Sequence, residues 1–250
     1  MKCAILITAR LKSTRLPKKI TKLIHGKPMI KHMLDRLKLA KFPNKIIICT
    51  STVTQDDPLE KLADEENVLC YRGEAEDVLL RLSSAAEKFD IETVINCTAD
   101  NPFVDPFYID KLYEHHIKEA NEFTKIEGLP WGTFSYAISS KALKRACELK
   151  NETDTEVWHG YFMDTGNFKW NSLIVTDENV LWPDLRLTVD VPEDFEMVTK
   201  IFDKLYDGAN VFPLSKIVKL CRTNPEIPEI NKFIMQKSGI PIRLKNLSNE

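Results

Sequence analysis

Glycine is scarce in this chain, 8 of 250 residues, and none falls between positions 8 and 19, the segment that follows the first apolar run. That excludes G-x-x-x-x-G-K-[ST] and G-x-G-x-x-G, the two glycine-dependent phosphate cradles, at the place where a nucleotide-binding sheet would put them. No two cysteines form a C-x-x-C pair. The six (Cys3, Cys49, Cys70, Cys97, Cys147, Cys221) are scattered, and four lie in strand-like runs where a thiol serves as a small hydrophobe. The expectation is a reduced, cytoplasmic protein without a zinc site. Apolar runs such as "KIIICTS" are far too short to cross a bilayer. The N-terminus enters a strand pattern directly, with no signal-peptide core and cleavage site. Net charge is −2, so the molecule as a whole is not a polyanion binder, and any positive site must be a local concentration. Neither a nucleic acid nor a membrane is expected as a partner.

What is present is an alternation of short apolar runs and helical patterns. "CAILITA" (3–9), "KIIICTS" (45–51), "VLCYR" (68–72) and "TVINCTA" (93–99) read as buried strands. Helices are expected at 28–40, at 57–66 with Asp57 as N-cap and Pro58 at N1, at about 75–89, and after Asp105, which caps a helix opening on Pro106. Strand and helix in turn, with continuously apolar strands, predict an α/β fold: a mostly parallel central sheet with helices on both faces. The second half gives strands at 133–139, 168–175 and 185–189, helices at about 141–150 and 192–206, and a tail of one or two helices with a loose polar end. There is no repeat and no Gly/Ser linker. One domain over 1–250 is expected: a nucleotide-binding half (1–120), an acceptor-binding half (121–210) and a helical tail (211–250).

"TARLKSTRLPKK" (8–19) holds five cations, Arg10, Lys12, Arg15, Lys18 and Lys19, with the hydroxyls of Ser13 and Thr14 and no acid. Ligands of open α/β sheets bind beyond the carboxyl ends of the strands, where this segment begins. Arginines fork phosphate oxygens and lysines act on them as point charges. Thr8 and Ala9 would bring backbone amides near the ligand. The chemistry implied is polyphosphate binding, against the plain alternative of a solvated basic loop.

Asp100 ends "TVINCTAD" and Asp190 ends "LRLTVD", both at the ligand-facing edge. Two carboxylates from separate strands, completed by phosphate oxygens and water, form the hard oxygen shell that Mg²⁺ prefers. Each also has a structural reading: Asp100 as a turn residue before "NP", Asp190 as the cap of the helix at Pro192. In "YRGEAEDVLLR", Arg72 and Gly73 are candidates to edge a base, and Asp77 to support the basic loop or a ribose. The alternative is a helix start favoured by Glu74, Glu76 and Asp77. Ser51, at the end of "KIIICTS", is a further candidate to face the nucleotide.

The stretch "ITARLKSTRLPKKITKLIHGKPMIKHMLDRL" resembles the opening of the nucleotide-sugar cytidylyltransferases, whose loop runs A-R-x-x-S-T-R-L-P-x-K before G-K-P-M/L and a helix. That group includes the spore-coat polysaccharide, 3-deoxy-manno-octulosonate and acylneuraminate enzymes. "YRGEAEDVLLRL", "CTADNPFVDPFYID" and "LRLTVDVPEDFEMV" resemble segments of the spore-coat branch in order, so the likeness spans nearly the whole chain. It implies a glycosyltransferase-A-like nucleotidyltransferase fold, and in-line attack of an acceptor oxygen on the α-phosphorus of CTP with release of pyrophosphate. It also implies Mg²⁺ on Asp100 and Asp190. Arg10, Arg15 and Lys19 would stabilise the triphosphate. Cytidine as the base and a homodimer are implied by the resemblance only.

The acceptor side follows less closely. Trp131, in "GLPWGTFSYAIS", reads either as a sugar-stacking residue or as core. The spore-coat branch often carries acids just after this glycine, where Thr133, Phe134 and Ser135 stand here. His159 and Arg186 are the other acceptor candidates. His115 and His116 read as a solvated helix face. The acceptor implied is an acidic keto-sugar or a phosphorylated sugar or polyol. A glycosyltransferase using a nucleotide-sugar donor is the alternative, and "TADNP" counts against it because it offers one aspartate where that class places Asp-x-Asp.

Overall fold

The computed structural model of the chain describes residues 2–235 and 243–244. Its strands are β1 (Cys3–Thr8), β2 (Leu23–Ile24), β3 (Lys27–Pro28), β4 (Lys45–Ser51), β5 (Leu69–Gly73), β6 (Thr93–Thr98), β7 (Phe123–Glu127), β8 (Tyr136–Ser139) and β9 (Trp170–Ile174). Its helices are α1 (Met29–Leu37), α2 (Asp57–Glu65), α3 (Val78–Lys88), α4 (Pro106–Lys118), α5 (Ser140–Leu149), α6 (Gly160–Met163), α7 (Pro192–Leu205) and α8 (Leu214–Thr223). Strands from both halves of the chain join one sheet of order β5-β4-β1-β6-β8-β7-β9, while β2 and β3 form a separate short ribbon. β5, β4, β1 and β6 run parallel; β8 is antiparallel to both β6 and β7, and β9 lies parallel to β7.

β1 is apolar at nearly every position because both of its faces are covered. Cys3, Ile5 and Ile7 point into one core with α1, α2, α4, α7 and α8, and Ala4 and Leu6 into a second with α3, α5 and α6. This two-residue alternation within an unbroken apolar run is what a doubly covered parallel strand requires. Thr8 lies opposite both Cys49 and Thr98, so β1, β4 and β6 end side by side, and everything that follows them converges on one edge of the sheet.

The expected α/β architecture is present, with local differences. β7 lies in a segment with no expected strand; "FTKIE" is short and half polar, and its pairing with β8 and β9 decides it. β8 begins at Tyr136 rather than 133. Gly132 holds a positive φ of 91°, and both the amide and the hydroxyl of Thr133 donate to Pro130 O, so 130–135 is a loop. A Cβ at Gly132 would meet Thr188 N at 2.5 Å, so only glycine lets this loop lie against residue 188. Residues 185–189 are not a strand; one bridge joins Arg186 to Trp131. Asp56, not Asp57, is the N-cap position of α2, and its side chain makes no capping bond there. His116 is not solvated: it is buried against the Thr124 hydroxyl at 2.9 Å, and burial pushes its pKa down to about 4. His115 bonds Asn171 Oδ1 at 2.9 Å. The loose polar end expected at the C-terminus lies largely outside the described residues. Among the described residues no helix is long and apolar enough to cross a membrane.

Asp105 behaves as its sequence context predicts and does more. Its Oδ1 accepts from Phe107 N at 3.0 Å and Tyr108 N at 3.3 Å, and its Oδ2 from Leu214 N at 3.3 Å, so one buried carboxylate caps α4 and docks the start of α8. Asp105→Ala is expected to lower stability by about 1–2 kcal/mol, the scale of a lost N-cap, and Asp105→Asn by less than half of that. Chemical denaturation of the two variants measures the difference.

Candidate functional site

The basic loop leaves the sheet at Thr8. Ala9 N donates to Cys49 O at 3.1 Å, so the Ala9 amide expected to face a ligand is engaged in the sheet, and the Thr8 carbonyl accepts from Ala99 N at 3.0 Å. The Thr8 hydroxyl donates to Cys97 O at 3.3 Å. In the loop, the amides of Arg10 and Lys18 and the unbroken run at Lys12, Ser13, Thr14 and Arg15 face no acceptor among the described residues. Ser13 Oγ accepts from Leu16 N at 3.4 Å and so helps shape the turn. Lys18 takes the left-handed conformation, φ 52°, and lets the chain reverse into a short helical turn that carries Lys19 inward.

Nothing inside the loop balances its charge, yet the fold balances it at both ends. At the start, Arg10 makes a two-pronged pair with Glu76 (3.1 and 3.0 Å) and donates to Ala75 O at 2.6 Å; Lys12 joins the same carboxylate at 3.2 Å. The bonds from Arg10 and Lys12 hold the Glu76 carboxyl down at about 2. Arg81, buried behind them, donates to Glu74 O at 2.6 Å and fixes the turn from the other side. Support of the basic loop therefore falls to Glu76. Asp77 is turned away: it caps α3 through Leu80 N at 3.0 Å and bonds Thr155 at 3.0 Å and Lys150.

At the far end, Lys19 Nζ lies 2.8 Å from Asp100 Oδ2 and 2.8 Å from Asp190 Oδ1, and Arg15 Nη2 lies 3.1 Å from the same Asp190 oxygen. Asp100 stands two residues beyond β6, its Oδ1 accepting from Thr98 Oγ1 at 2.6 Å. Val189 N donates to Asp100 O at 2.9 Å, which draws the 185–190 segment to the end of β6. Burial opposes the charge on Lys19, but the two carboxylates outweigh it and hold its pKa above the ordinary lysine value. Burial likewise opposes the charge on Asp190, and Lys19, Arg15 and Arg186 together hold its carboxyl below the usual range.

Asp190 is not the cap of α7. Asp194, fully buried at the third position of that helix, takes the Asp190 amide at 2.8 Å and the Val191 amide at 3.2 Å. The same carboxylate accepts Arg186 Nε at 2.9 Å, Arg186 Nη2 at 2.8 Å and Asn231 Nδ2 at 2.8 Å. Arg186 also reaches Asp190 Oδ2 at 3.1 Å. The guanidinium expected to meet an anionic acceptor thus stands behind Asp190 and orients it. The helix-starting role was legible in "VPEDF"; its assignment to Asp194 rather than Asp190 depends on Arg186 and Asn231, which the local pattern cannot show.

Two further candidates have structural positions. Ser51 is fully buried, its hydroxyl donating to Asp56 and accepting from Val53 N at 3.2 Å. Arg72 ties β5 to the neighbouring loop and helix through Ser51 O (3.0 Å), Val53 O (3.2 Å), Asp57 and Glu60. Asp56, absent from the sequence expectations, accepts Leu11 N at 2.7 Å while Gln55 Nε2 donates to Leu11 O at 3.4 Å, so the loop is gripped at Leu11 from both sides.

On the acceptor side, Trp131 is 40% exposed and is not core. It meets Phe134 edge-on at 5.4 Å; Phe134 meets Tyr136 at 5.9 Å; Tyr136 stacks on His159 at 6.0 Å and touches Trp158 at 5.6 Å. Trp131 and His159, two of the three expected acceptor residues, are therefore ends of one aromatic row. Burial lowers the His159 pKa and raises the Tyr136 hydroxyl to about 12, so both are neutral near pH 7.

The mostly parallel, helix-covered sheet is the fold of nucleotidyltransferases of the nucleotide-diphospho-sugar transferase type. The cytidylyltransferase family model matches residues 4–234, and the chain belongs to that family, the CTP-dependent nucleotidyltransferases. The chain is 26% identical over 227 residues to the spore coat polysaccharide biosynthesis protein SpsF of Bacillus subtilis, covering 88% of this chain and 94% of that protein. It is 31% identical over 168 residues to the 8-amino-3,8-dideoxy-manno-octulosonate cytidylyltransferase of Shewanella amazonensis, covering 65% of this chain and 64% of that one. The solved structure of a cytidylyltransferase from Leptospira borgpetersenii superposes with a TM-score of 0.83 at 25% identity, over 91% of this chain and 96% of that one.

The grip on Leu11 gives a test. Asp56→Ala is expected to weaken CTP binding about tenfold, the scale of one lost hydrogen bond to a charged group. Asp56→Asn, whose amide oxygen still accepts from Leu11, is expected to recover most of it. Calorimetric titration with CTP measures both, and equal affinities in all three proteins would remove Asp56 from the account.

Proposed function

We propose that this enzyme transfers CMP from CTP to an oxygen of a sugar-type acceptor, with release of pyrophosphate and Mg²⁺ as its divalent ion. The observation that carries the reading is the convergence of Arg15, Lys19, Asp100 and Asp190 on one point at the edge of the sheet. The pair of carboxylates fits a Mg²⁺ ion of the kind that takes one or two protein carboxylates and completes its shell with phosphate oxygens and water. Two carboxylate oxygens already share a single cationic partner, Lys19. Asp100 and Asp190 would hold the ion, which when bound supplies charge neutralisation and polarisation at the α-phosphate.

The chain's own residues do the rest. Transfer of a phosphoryl-type group asks little covalent chemistry of a protein, so positioning and charge dominate. The acceptor oxygen attacks the α-phosphorus, and the bond from that phosphorus to the α–β bridging oxygen breaks. Negative charge grows on the leaving pyrophosphate, and Arg15 and Lys19 stand at the loop that receives it. The amides of residues 12–15, which face no acceptor among the described residues, add hydrogen bonds to phosphate oxygens in the manner of an anion-binding nest. The Arg10–Glu76 pair fixes the turn after β5, which edges the base in this reading. The row from Trp131 to His159 flanks the acceptor, with the exposed face of Trp131 suited to a sugar ring. The likeness to a spore coat polysaccharide biosynthesis protein and to an 8-amino-3,8-dideoxy-manno-octulosonate cytidylyltransferase supports a sugar-type acceptor.

Pyrophosphate release tests the reading directly. The enzyme with Mg²⁺ is expected to release pyrophosphate from CTP, and not from ATP, GTP or UTP, in the presence of one class among acidic keto-sugars and sugar or polyol phosphates. Asp100→Ala and Asp190→Ala are each expected to lose about a hundredfold or more in rate, the scale of one pre-organised charge removed from a reacting centre. Full activity in either variant would overturn the assignment of that aspartate.

A further inference from the structure

Lys19 has more to do than meet a phosphate. Its ammonium stands between one oxygen of Asp100 and one of Asp190, at 2.8 Å from each, in the place an ion shared by those two oxygens would take. Both aspartate side chains have their other oxygen occupied as well: Asp100 Oδ1 by Thr98 and Asp190 Oδ2 by Arg186. Around Asp190 alone three cations, Lys19, Arg15 and Arg186, lie within 3.1 Å. Among the described residues Lys19 pairs with no other carboxylate. Its side chain is only 14% exposed, so an ammonium pushed off the pair would be left short of both water and a counter-charge.

We propose that Lys19 is also a positioning residue, a resident counter-ion that keeps Asp100 and Asp190 paired and makes divalent-cation binding conditional on the triphosphate. The inference rests on the reading of these aspartates as the metal ligands. A divalent cation approaching the free enzyme meets an ammonium already in place and two guanidiniums beside it. Displacing Lys19 then costs its two ion pairs and gains it no new partner. A triphosphate changes both sides of that exchange. Its oxygens offer Lys19 and Arg15 new anionic partners, and they supply the incoming cation with the ligands that two carboxylates lack. Nucleotide and cation therefore bind as one event, and by linkage each raises the affinity of the other by the same factor.

The test uses the full chain and Mn²⁺ as the probe, with free Mn²⁺ read by electron paramagnetic resonance. Without nucleotide, Lys19→Met is expected to bind Mn²⁺ about tenfold or more tighter than wild type, within the range typical of coupled sites. Adding the α,β-methylene analogue of CTP is expected to tighten Mn²⁺ binding strongly in wild type and by a smaller factor in Lys19→Met. Equal Mn²⁺ affinity of nucleotide-free wild type and Lys19→Met overturns the counter-ion role. If Lys19→Met fails to fold by thermal melting, wild type decides: Mn²⁺ affinity unchanged by the analogue overturns the proposal. The underlying metal reading fails in a different way. Mn²⁺ binding that Asp100→Asn and Asp190→Asn leave unaltered, or no Mn²⁺ binding in any protein with or without the analogue, rejects the aspartates as ligands.

Discussion

The structure turns on one ionic constraint: two carboxylates, one from each half of the chain, held against a single ammonium. Lys19 is separated from Asp100 by 81 positions and from Asp190 by 171, so no local pattern brings them together. The sheet does it. β1 and β6 end in register beside β4, which runs on to Ser51; the basic loop starts at the end of β1, and Asp100 stands just beyond the end of β6. Asp190 reaches the same edge because the 185–190 segment is tied to Asp100 through Val189 and to the Trp131 loop through Arg186. Like charges do not sit together in a half-buried site without a counter-charge. The cations of the loop meet that requirement in the free protein.

Four carboxylates divide the work of shaping this site. Glu76 takes the first cations of the loop, Arg10 and Lys12. Asp56 holds the Leu11 amide. Asp190 takes Lys19 and Arg15, and Asp194 holds Asp190 in turn through its amide and through Arg186. Asp194 and Asp56 are buried with their hydrogen-bonding capacity well used, as a buried charge requires. The result is a loop fixed at Leu11 and at both charged ends, with a short run of amides, at residues 12–15, that face no acceptor among the described residues. The proposed phosphate-binding loop can do without glycine because the fold, rather than the backbone freedom of glycine, sets its course.

Much of the sheet was legible in the sequence, since continuously apolar runs such as "CAILIT" have few alternatives to a doubly covered strand. Caps were legible where the side chain acts within its own turn: Asp105 is the clear case. Legibility failed where a partner came from far away. Glu76, 66 positions from Arg10, looked like one of three acids at a helix start. Arg186 looked available to an acceptor because the buried Asp194 and Asn231 that hold it cannot be paired with it from spacing. β7 was missed because a short half-polar strand exists only through its neighbours. His116 was read as solvated because a helix face shows its period but not what packs against it. Of the site, Lys19, Arg15, Asp100 and Asp190 came together as their positions at strand ends predicted. Ser51, Arg72 and Asp77 proved to be framework residues of the same region.

In the proposed reading Asp100 and Asp190 form one cation-holding pair whose resident partner in the free protein is Lys19. The most direct measurement is a crystal structure of the enzyme with Mn²⁺ and a non-hydrolysable CTP analogue, with manganese located by anomalous scattering. An anomalous peak in contact with both aspartates and with the α-phosphate is expected, with Lys19 Nζ moved from the carboxylates onto the triphosphate. A nucleotide bound elsewhere on the sheet edge, or bound at the loop with Lys19 still bridging Asp100 and Asp190, would contradict it.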